Sequence, residues 1–419
     1  MTVLSELRMQ PSAALHTGWD ASRTARLVLT GAVIFMLLIG ANLATPLYPL
    51  LQQQLGLTSL GTTVAFVSYV LSLIVTLLAA GHWSDHIGRR AALLLAVLVG
   101  LTGGIVFAFA GNLLMLSVGR ALQGVAVALA TGASAAALRE LLPSRPEWAS
   151  RFTLLASAGG VAAGPAIGGV LSQLPGPTSA PFAVHSAILL LLLIPLYLVK
   201  ARPAINAEGQ TFRVLAPRRP AVSREARGAF WLASLVGFLS FSIFGFCLSL
   251  APGYVAHVLD IDSRPVVGLL AGTTLAASAL SQLLAVRGRF VVPIGLTVLG
   301  LSVVLMAVSL MLANPFLLVF ASIMAGLGQG ISFRTVFNDV AGKVEASSHA
   351  QIISTVYVIT YLGSAVPVLG LGWAATQFGT AAAVNVFAGL CGLAGLILAW
   401  VAFRAGRRSM PRQELIYQG

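Results

Sequence analysis

The sequence predicts an all-α integral membrane protein with twelve transmembrane helices in two pseudo-symmetric six-helix halves. Composition is the first observation. Of 419 residues, 58% are hydrophobic and 9% charged, with mean hydropathy +0.92, whereas soluble domains carry about 25% charged residues. Segment length is the second: twelve apolar runs are each long enough to cross a hydrocarbon core, which takes about 20 helical residues. Recurrence is the third, because short landmarks return in the same order about 200 residues later.

The runs begin near Leu27, Gly61, Ala91, Leu113, Phe152, Pro181, Phe230, Pro265, Phe290, Pro315, Ala350 and Thr380. They are continuous and rich in Leu, Ala, Val and Gly, without the alternation of a β-barrel. Helices that satisfy their own backbone hydrogen bonds are therefore expected. The first 26 residues are mixed polar and lack the compact apolar core and small-residue cleavage site of a secretory signal, so the first helix is expected to direct insertion. Cys247 and Cys391 fall inside predicted helices and read as packing residues, with neither a disulfide framework nor a metal site expected.

The net charge is +13, and its placement is informative. Of the 25 basic residues, 22 fall in segments that share one side, while Arg264 lies in a loop on the other side and Arg120 and Arg334 inside helices. By the positive-inside rule this predicts a multi-pass protein of the cytoplasmic membrane with both termini cytoplasmic. A nucleic-acid partner is not expected, since no basic face with interleaved aromatics appears.

Gly88-Arg89 between helices two and three recurs as Gly288-Arg289 between helices eight and nine. Gln123-Gly124 in helix four recurs as Gln329-Gly330 in helix ten, and Pro165 with Gly168 recurs as Pro367 with Gly370. Three matches at shifts of 200 to 206 residues indicate parallel repeats, a common plan of secondary transporters. The expected organisation is a cytoplasmic tail over 1–26, a six-helix half over 27–199, a linker over 200–228, a second half over 229–404 and a tail over 405–419. The linker has three prolines and seven basic residues, with one amphipathic patch at Phe212 to Leu215.

The joint GHWSDHIGRR, Gly81 to Arg90, carries the most chemistry. Gly81 and Gly88 permit a sharp reversal. Asp85 suits the positive N-terminal end of a helix, and Arg89 can pair with an acid at a neighbouring helix end, for which Glu140 is the candidate. With Arg90, these residues form a candidate conformational latch. The alternative is a topogenic loop whose solvated charges are worth little.

This joint resembles the signature loop of the major facilitator superfamily, and helix count, linker and repeats extend the resemblance over essentially the whole chain. His86 and Trp83 depart from the usual Arg or Lys and Leu, and Ala285 replaces the aspartate in the second copy, so a degenerate second latch is expected. GRALQG, Gly119 to Gly124, resembles the family motif whose membrane arginine is associated with proton coupling; a structural bond from Arg120 to backbone carbonyls is the equal alternative. In helix one, Gly40, Pro46 and Pro49 reproduce GxxxxxPxxP, similar to the first-helix motif of the twelve-helix drug exporters, or mark a bent helix end. In helix five, Gly160, Gly164, Pro165, Gly168 and Gly169 form GxxxGPxxGG. Small residues four apart allow close helix approach, and the full pattern resembles the antiporter motif of proton-coupled exporters.

Candidate coupling and cavity residues are Asn42, Tyr69, Arg120, Gln123, Phe241, Phe244, Gln329, Phe333, Arg334, Tyr357 and Tyr361, polar or aromatic groups on helices that would wall a central cavity. All twelve acids fall in termini, joints or helix ends, which argues against lipophilic cations as cargo. Candidate proton carriers are Asp85, Glu140, Asp339 and His185. The resemblance implies a proton-coupled exporter of small neutral or anionic drug-like compounds or metabolites, working by alternating access as a monomer in the lipid bilayer. Rival readings are an importer or sugar or metabolite permease of the same fold, and a transporter-like receptor. No cofactor is implied, and with no nucleotide loop, nucleophile with base or metal-ligand cluster, an enzyme is not expected.

Overall fold

The computed structural model describes residues 6–7, 19–200, 226–284, 286, 288–344 and 349–408. The amphipathic patch expected at Phe212 to Leu215, Ala285 and the end of the chain lie outside the described residues. Twelve long helices follow one another: α1 Arg23–Asn42, α2 Ser59–Ala80, α3 Arg89–Ala108, α4 Leu113–Leu141, α5 Pro146–Leu171, α6 Ala180–Leu198, α7 Arg227–Ser249, α8 Arg264–Ser281, α9 Val291–Met311, α10 Pro315–Lys343, α11 His349–Phe378 and α12 Thr380–Arg408. Eleven of these segments are long and apolar enough to cross a membrane. The twelfth, α8, has 18 residues including Arg264, Pro265 and four hydroxyl side chains, and packs between α5 and α10 inside the bundle.

Helix starts agree with the apolar pattern to within four residues, except in α5, which begins at Pro146 instead of near Phe152. Its first turns contain exposed Glu147, Trp148 and Arg151. Hydropathy sees the apolar stretch, whereas the helix continues past it from a proline at its first position. The helix α4 likewise reaches 29 residues by extending through Arg139 and Glu140.

The repeats have physical causes. Gly88 (φ +89°) and Gly288 (φ +143°) hold equivalent joints in a conformation that residues with a Cβ avoid. Asn112 caps α4 by accepting from the Met115 amide at 2.9 Å, and Asn314 caps α10 by accepting from the Leu317 amide at 3.0 Å. A Cβ on Gly124 would land on the Tyr69 carbonyl and Ser72 hydroxyl of α2, and one on Gly330 would land on the Ser278 carbonyl and Ser281 hydroxyl of α8. The Gln-Gly pair therefore marks the same close crossing in each half. Pro165 and Pro367 both lie inside helices, but their surroundings differ. Gly168 faces the backbone of Leu43, while nothing lies within 4 Å of the Cβ position at Gly370. In the second half close contact moves to Gly363, against the Phe238 carbonyl of α7, and to Gly372, against Thr63 of α2.

The halves meet along α5 with α8 and along α2 with α11. Basic helix ends gather on one face, termed the basic face; the opposite one is the far face. The hydrogen bonds between halves found among the described residues lie at the far face. There Arg264 binds Ser172, and the Leu60 amide donates to the Thr376 hydroxyl at 3.1 Å. A shared apolar cluster packs behind them, including Leu47, Phe66 and Val67 of the first half with Leu248, Leu275 and Val368 of the second. The molecule is closed at the far face.

The unequal crowding of these glycines sets a test. Gly124→Ala should cost about 1 to 3 kcal/mol by overpacking, and Gly370→Ala should be neutral or slightly stabilising. Thermal unfolding of the purified variants reads both.

Candidate functional site

The joint after α2 is built as its spacing requires. Ser84–Ile87 forms one helical turn, and Gly88 reverses the chain into α3. Arg89 Nη1 lies 2.6 Å from Asp85 Oδ1 and donates to Ser84 Oγ at 2.6 Å, while Nε and Nη2 donate to Glu140 Oε1 at 3.0 and 2.8 Å. Glu140 is thus the partner of Arg89, and all these contacts lie within the first half. Gly81 leaves room for the Leu77 carbonyl, 2.5 Å from its Cβ position. Arg90 turns the other way. It pairs with Glu6 and donates to the Val199 carbonyl at 2.7 Å, while Trp19 and Val199 form a short parallel bridge. A cavity of about 80 Å³ opens here, lined among others by Arg26, Ser84, Arg89, Arg90, Glu140 and Lys200. Burial pushes the Glu6 carboxyl above its ordinary value and outweighs the opposing pull of Arg90.

Helix one ends where its proline dictates. Pro46 has no amide hydrogen to offer, so α1 stops at Asn42, passes through a 3₁₀ turn at Thr45–Leu47 and restarts as Tyr48–Leu55, with Pro49 in its first turn. Arg120, 2% exposed, donates Nη1 to the Ala41 carbonyl and, at 2.7 Å, to Gln123 Oε1, and lies 4.7 Å over the Tyr69 ring. Gly40 admits His185, whose ring would overlap a Cβ there and whose Nε2 binds the Met36 carbonyl at 2.8 Å.

The glycine face of α5 also has an address. Cβ atoms on Gly160 and Gly164 would fall 2.6 Å from the Phe35 carbonyl and from Asn42 Cβ, and one on Gly168 would meet the Leu43 carbonyl, all in or just past α1. Gly169 faces the other half, 2.5 Å from the Arg264 carbonyl, and the Pro165 carbonyl lies against Gly268 of α8. One side of α5 therefore seats on its own half and the other on α8.

Of the proposed cavity residues, five aromatics converge. Phe241, Phe333, Tyr357 and Tyr361, joined by Phe337, make a closed circuit of rings with successive centroids 6.2, 5.7, 5.1, 6.4 and 5.1 Å apart, and Phe244 adjoins Phe241 at 5.9 Å. All six are half-buried. Phe337 is missing from the sequence-derived candidates, although its place four residues on from Phe333, on the same helix face, is the signal that could have found it. The polar candidates lie elsewhere. Asn42 donates to the Leu38 carbonyl at 2.8 Å, and Gln329 accepts from Ser278. Arg334 donates to the Gln282 and Leu284 carbonyls at the end of α8, and Asp339 pairs instead with Lys343 at 2.8 Å. Asn42, Arg120, Gln123 and Gln329 are buried and bonded within their own halves.

Comparison with known proteins places this geometry. The sequence model of the Major Facilitator Superfamily matches residues 30–366. The "putative multidrug resistance protein MdtD" of Escherichia coli K12 is 30% identical over 175 residues, covering 40% of this chain and 37% of that relative's length. Among solved structures, a bacterial homologue of the human lysosomal transporter Spinster, in an inward-facing and occupied conformation, superposes with TM-score 0.71 at 13% identity, covering 94% of this chain and 98% of that one. The nucleoside transporter NupG superposes with TM-score 0.70 at 12% identity, covering 92% and 100%.

Two measurements test the joint. A double-mutant cycle of Arg89→Ala with Glu140→Gln should give a coupling energy of about 0.5 to 1 kcal/mol in thermal unfolding, since both groups keep contact with water. Because burial raises the folded-state value of Glu6 above its ordinary value of 4.5, the folded protein holds that proton longer. Its contribution should be full below about pH 4 and fall as pH rises through the raised value. Unfolding midpoints over that range should show this decline in the native chain and lose it in Glu6→Gln.

The match over residues 30–366 and the twelve-helix fold together identify the chain as a member of the Major Facilitator Superfamily, a transporter and not an enzyme.

Proposed function

We propose that this transporter exports small neutral or anionic drug-like compounds or metabolites across the cell membrane, driven by inward proton flow and working by alternating access as a monomer. Its basic face is cytoplasmic, with both termini on that side. The halves, 27–199 and 229–404, rock about a midplane site, with 200–228 as the linker and 1–26 and 405–419 as tails.

The observation that carries this reading is the helix-five pattern, Gly160 to Gly169, seated between α1 and α8 where the far face closes. Small residues on both sides of one helix let it pack tightly in one half while remaining separable from the other. The name of the Escherichia coli relative supports a drug-like cargo. The latch of Gly81, Asp85, Gly88, Arg89, Arg90 and Glu140 stabilises one conformation. Gly40, Pro46 and Pro49 bend α1, and Arg120 holds that bend from α4, next to Tyr69.

The ring of Phe241, Phe333, Phe337, Tyr357 and Tyr361, with Phe244, supplies a wall for apolar and flat cargo. Among the described residues, acids in the spanning helices sit at basic-face ends, as Glu140, Glu147 and Asp339 do. A cation would therefore find no neutralising carboxylate in the spanning helices away from the basic-face ends, which favours neutral and anionic cargo. His185, buried with Nδ1 unpartnered, is proposed as a proton site beside Asp85, Glu140 and Asp339.

Purified protein in liposomes with an imposed pH gradient tests the proposal. Cargo-dependent proton movement should appear with neutral or anionic aromatic compounds. Arg120→Ala should abolish it in whatever folded protein is recovered, and unchanged proton movement in Arg120→Ala would assign that arginine to structure alone, as the cap of the Ala41 carbonyl. Absence of proton movement across a broad panel would remove the antiport reading, and a fall of intracellular cargo on inhibition would reassign the protein as an importer.

A further inference from the structure

Arg264 is the basic residue that stands apart from the charge bias, at the first position of α8 on the far face. Its place is unfavourable for its own helix, because α8 starts at Arg264 and the N-terminal end of a helix carries partial positive charge. The side chain instead crosses to the other half. Nε donates to Ser172 Oγ at 2.9 Å and Nη2 to the Ser172 carbonyl at 3.0 Å. Ser172 is the fully buried C-cap of α5, where carbonyls lack helical partners and the dipole is negative. The guanidinium thus occupies the favourable end of a helix belonging to the opposite half.

The second interface repeats this in mirror chemistry. The first turn of α2 leaves amides without helical partners; Thr58 takes that of Gly61 at 3.1 Å, and Thr376 of α11 takes that of Leu60 from across the interface at 3.1 Å. Gly372, one turn before Thr376, lets α11 close onto Thr63. Each far-face hydrogen bond between halves found among the described residues therefore pairs a helix end of the first half with a side chain of the second.

We infer that Arg264, assisted by Thr376, is the positioning residue that holds the far face shut by capping α5 across the halves. Opening releases a buried carbonyl, an amide and two side chains into water, which can bond all of them, so the contact selects a conformation without making the fold depend on it. The inference is independent of cargo, transport direction and proton coupling.

The test is a distance measurement across the far face. Spin labels are placed at Gln54→Cys and Leu312→Cys in a chain carrying Cys247→Ala and Cys391→Ala, reconstituted in lipid nanodiscs. Arg264→Ala should raise the population with separated halves about tenfold, the equivalent of one charge-assisted hydrogen bond. Thr376→Val should raise it less, Arg264→Lys should fall between Arg264→Ala and the native chain, and the unfolding midpoint should stay near that of the native chain. An unchanged distance distribution in Arg264→Ala would overturn the inference. So would a fall in unfolding midpoint shared by Arg264→Ala and Arg264→Lys without any change in distance, which would make Arg264 a fold residue.

Discussion

A backbone carbonyl freed at a bend or helix end has lost its helical donor, and this molecule supplies an arginine in its place. Arg120 takes the Ala41 carbonyl where α1 breaks. Arg23 takes that of Leu141 at the end of α4, and Arg90 that of Val199 at the end of α6. Arg334 takes those of Gln282 and Leu284 at the end of α8. Each joins two segments of the same half. Arginine suits the task because its fixed fork of donors stays charged and matches the negative end of a helix.

Among these described caps, Arg264 differs by crossing between halves. Caps inside a half make it a body that moves as one, and the crossing cap binds the two bodies in one arrangement. The same division runs along α5. Gly160, Gly164 and Gly168 fix it to α1, while Gly169 and Pro165 present its other side to α8. A helix of this composition would fray in water, since glycine costs about 1 kcal/mol and proline about 3 relative to alanine. Against two neighbours it supplies a fixed face and a parting face.

Much of this was legible in sequence because it depends on local backbone. Gly88 and Gly288 recur because both joints need positive φ, and Gln-Gly recurs because each marks one close crossing. Glu140 was identifiable as the partner of Arg89 because both had to lie at the same helix ends. What depended on three-dimensional neighbours was not legible. Arg334 has Asn338 one turn on and Asp339 beside it as partners in the sequence, yet it bonds the Gln282 and Leu284 carbonyls at the end of α8. His185 finds Met36, Glu6 finds Arg90 and Arg264 finds Ser172 across 149, 84 and 92 residues of chain, where spacing carries no signal. The true start of α5 was not legible because its first turns are polar and the apolar pattern begins only near Phe152.

The most direct measurement of a fixed and a parting face on α5 compares Gly164→Leu with Gly169→Leu by recovery of folded protein in detergent and by far-face distance in nanodiscs. Gly164→Leu should lose folded protein, because Asn42 and the Ile39 carbonyl of the same half occupy its space. Gly169→Leu should fold at near-native yield and rest with its far face open. Equal loss of folded protein in both variants, or a folded Gly164→Leu beside a closed Gly169→Leu, would contradict the division of the helix into those two faces.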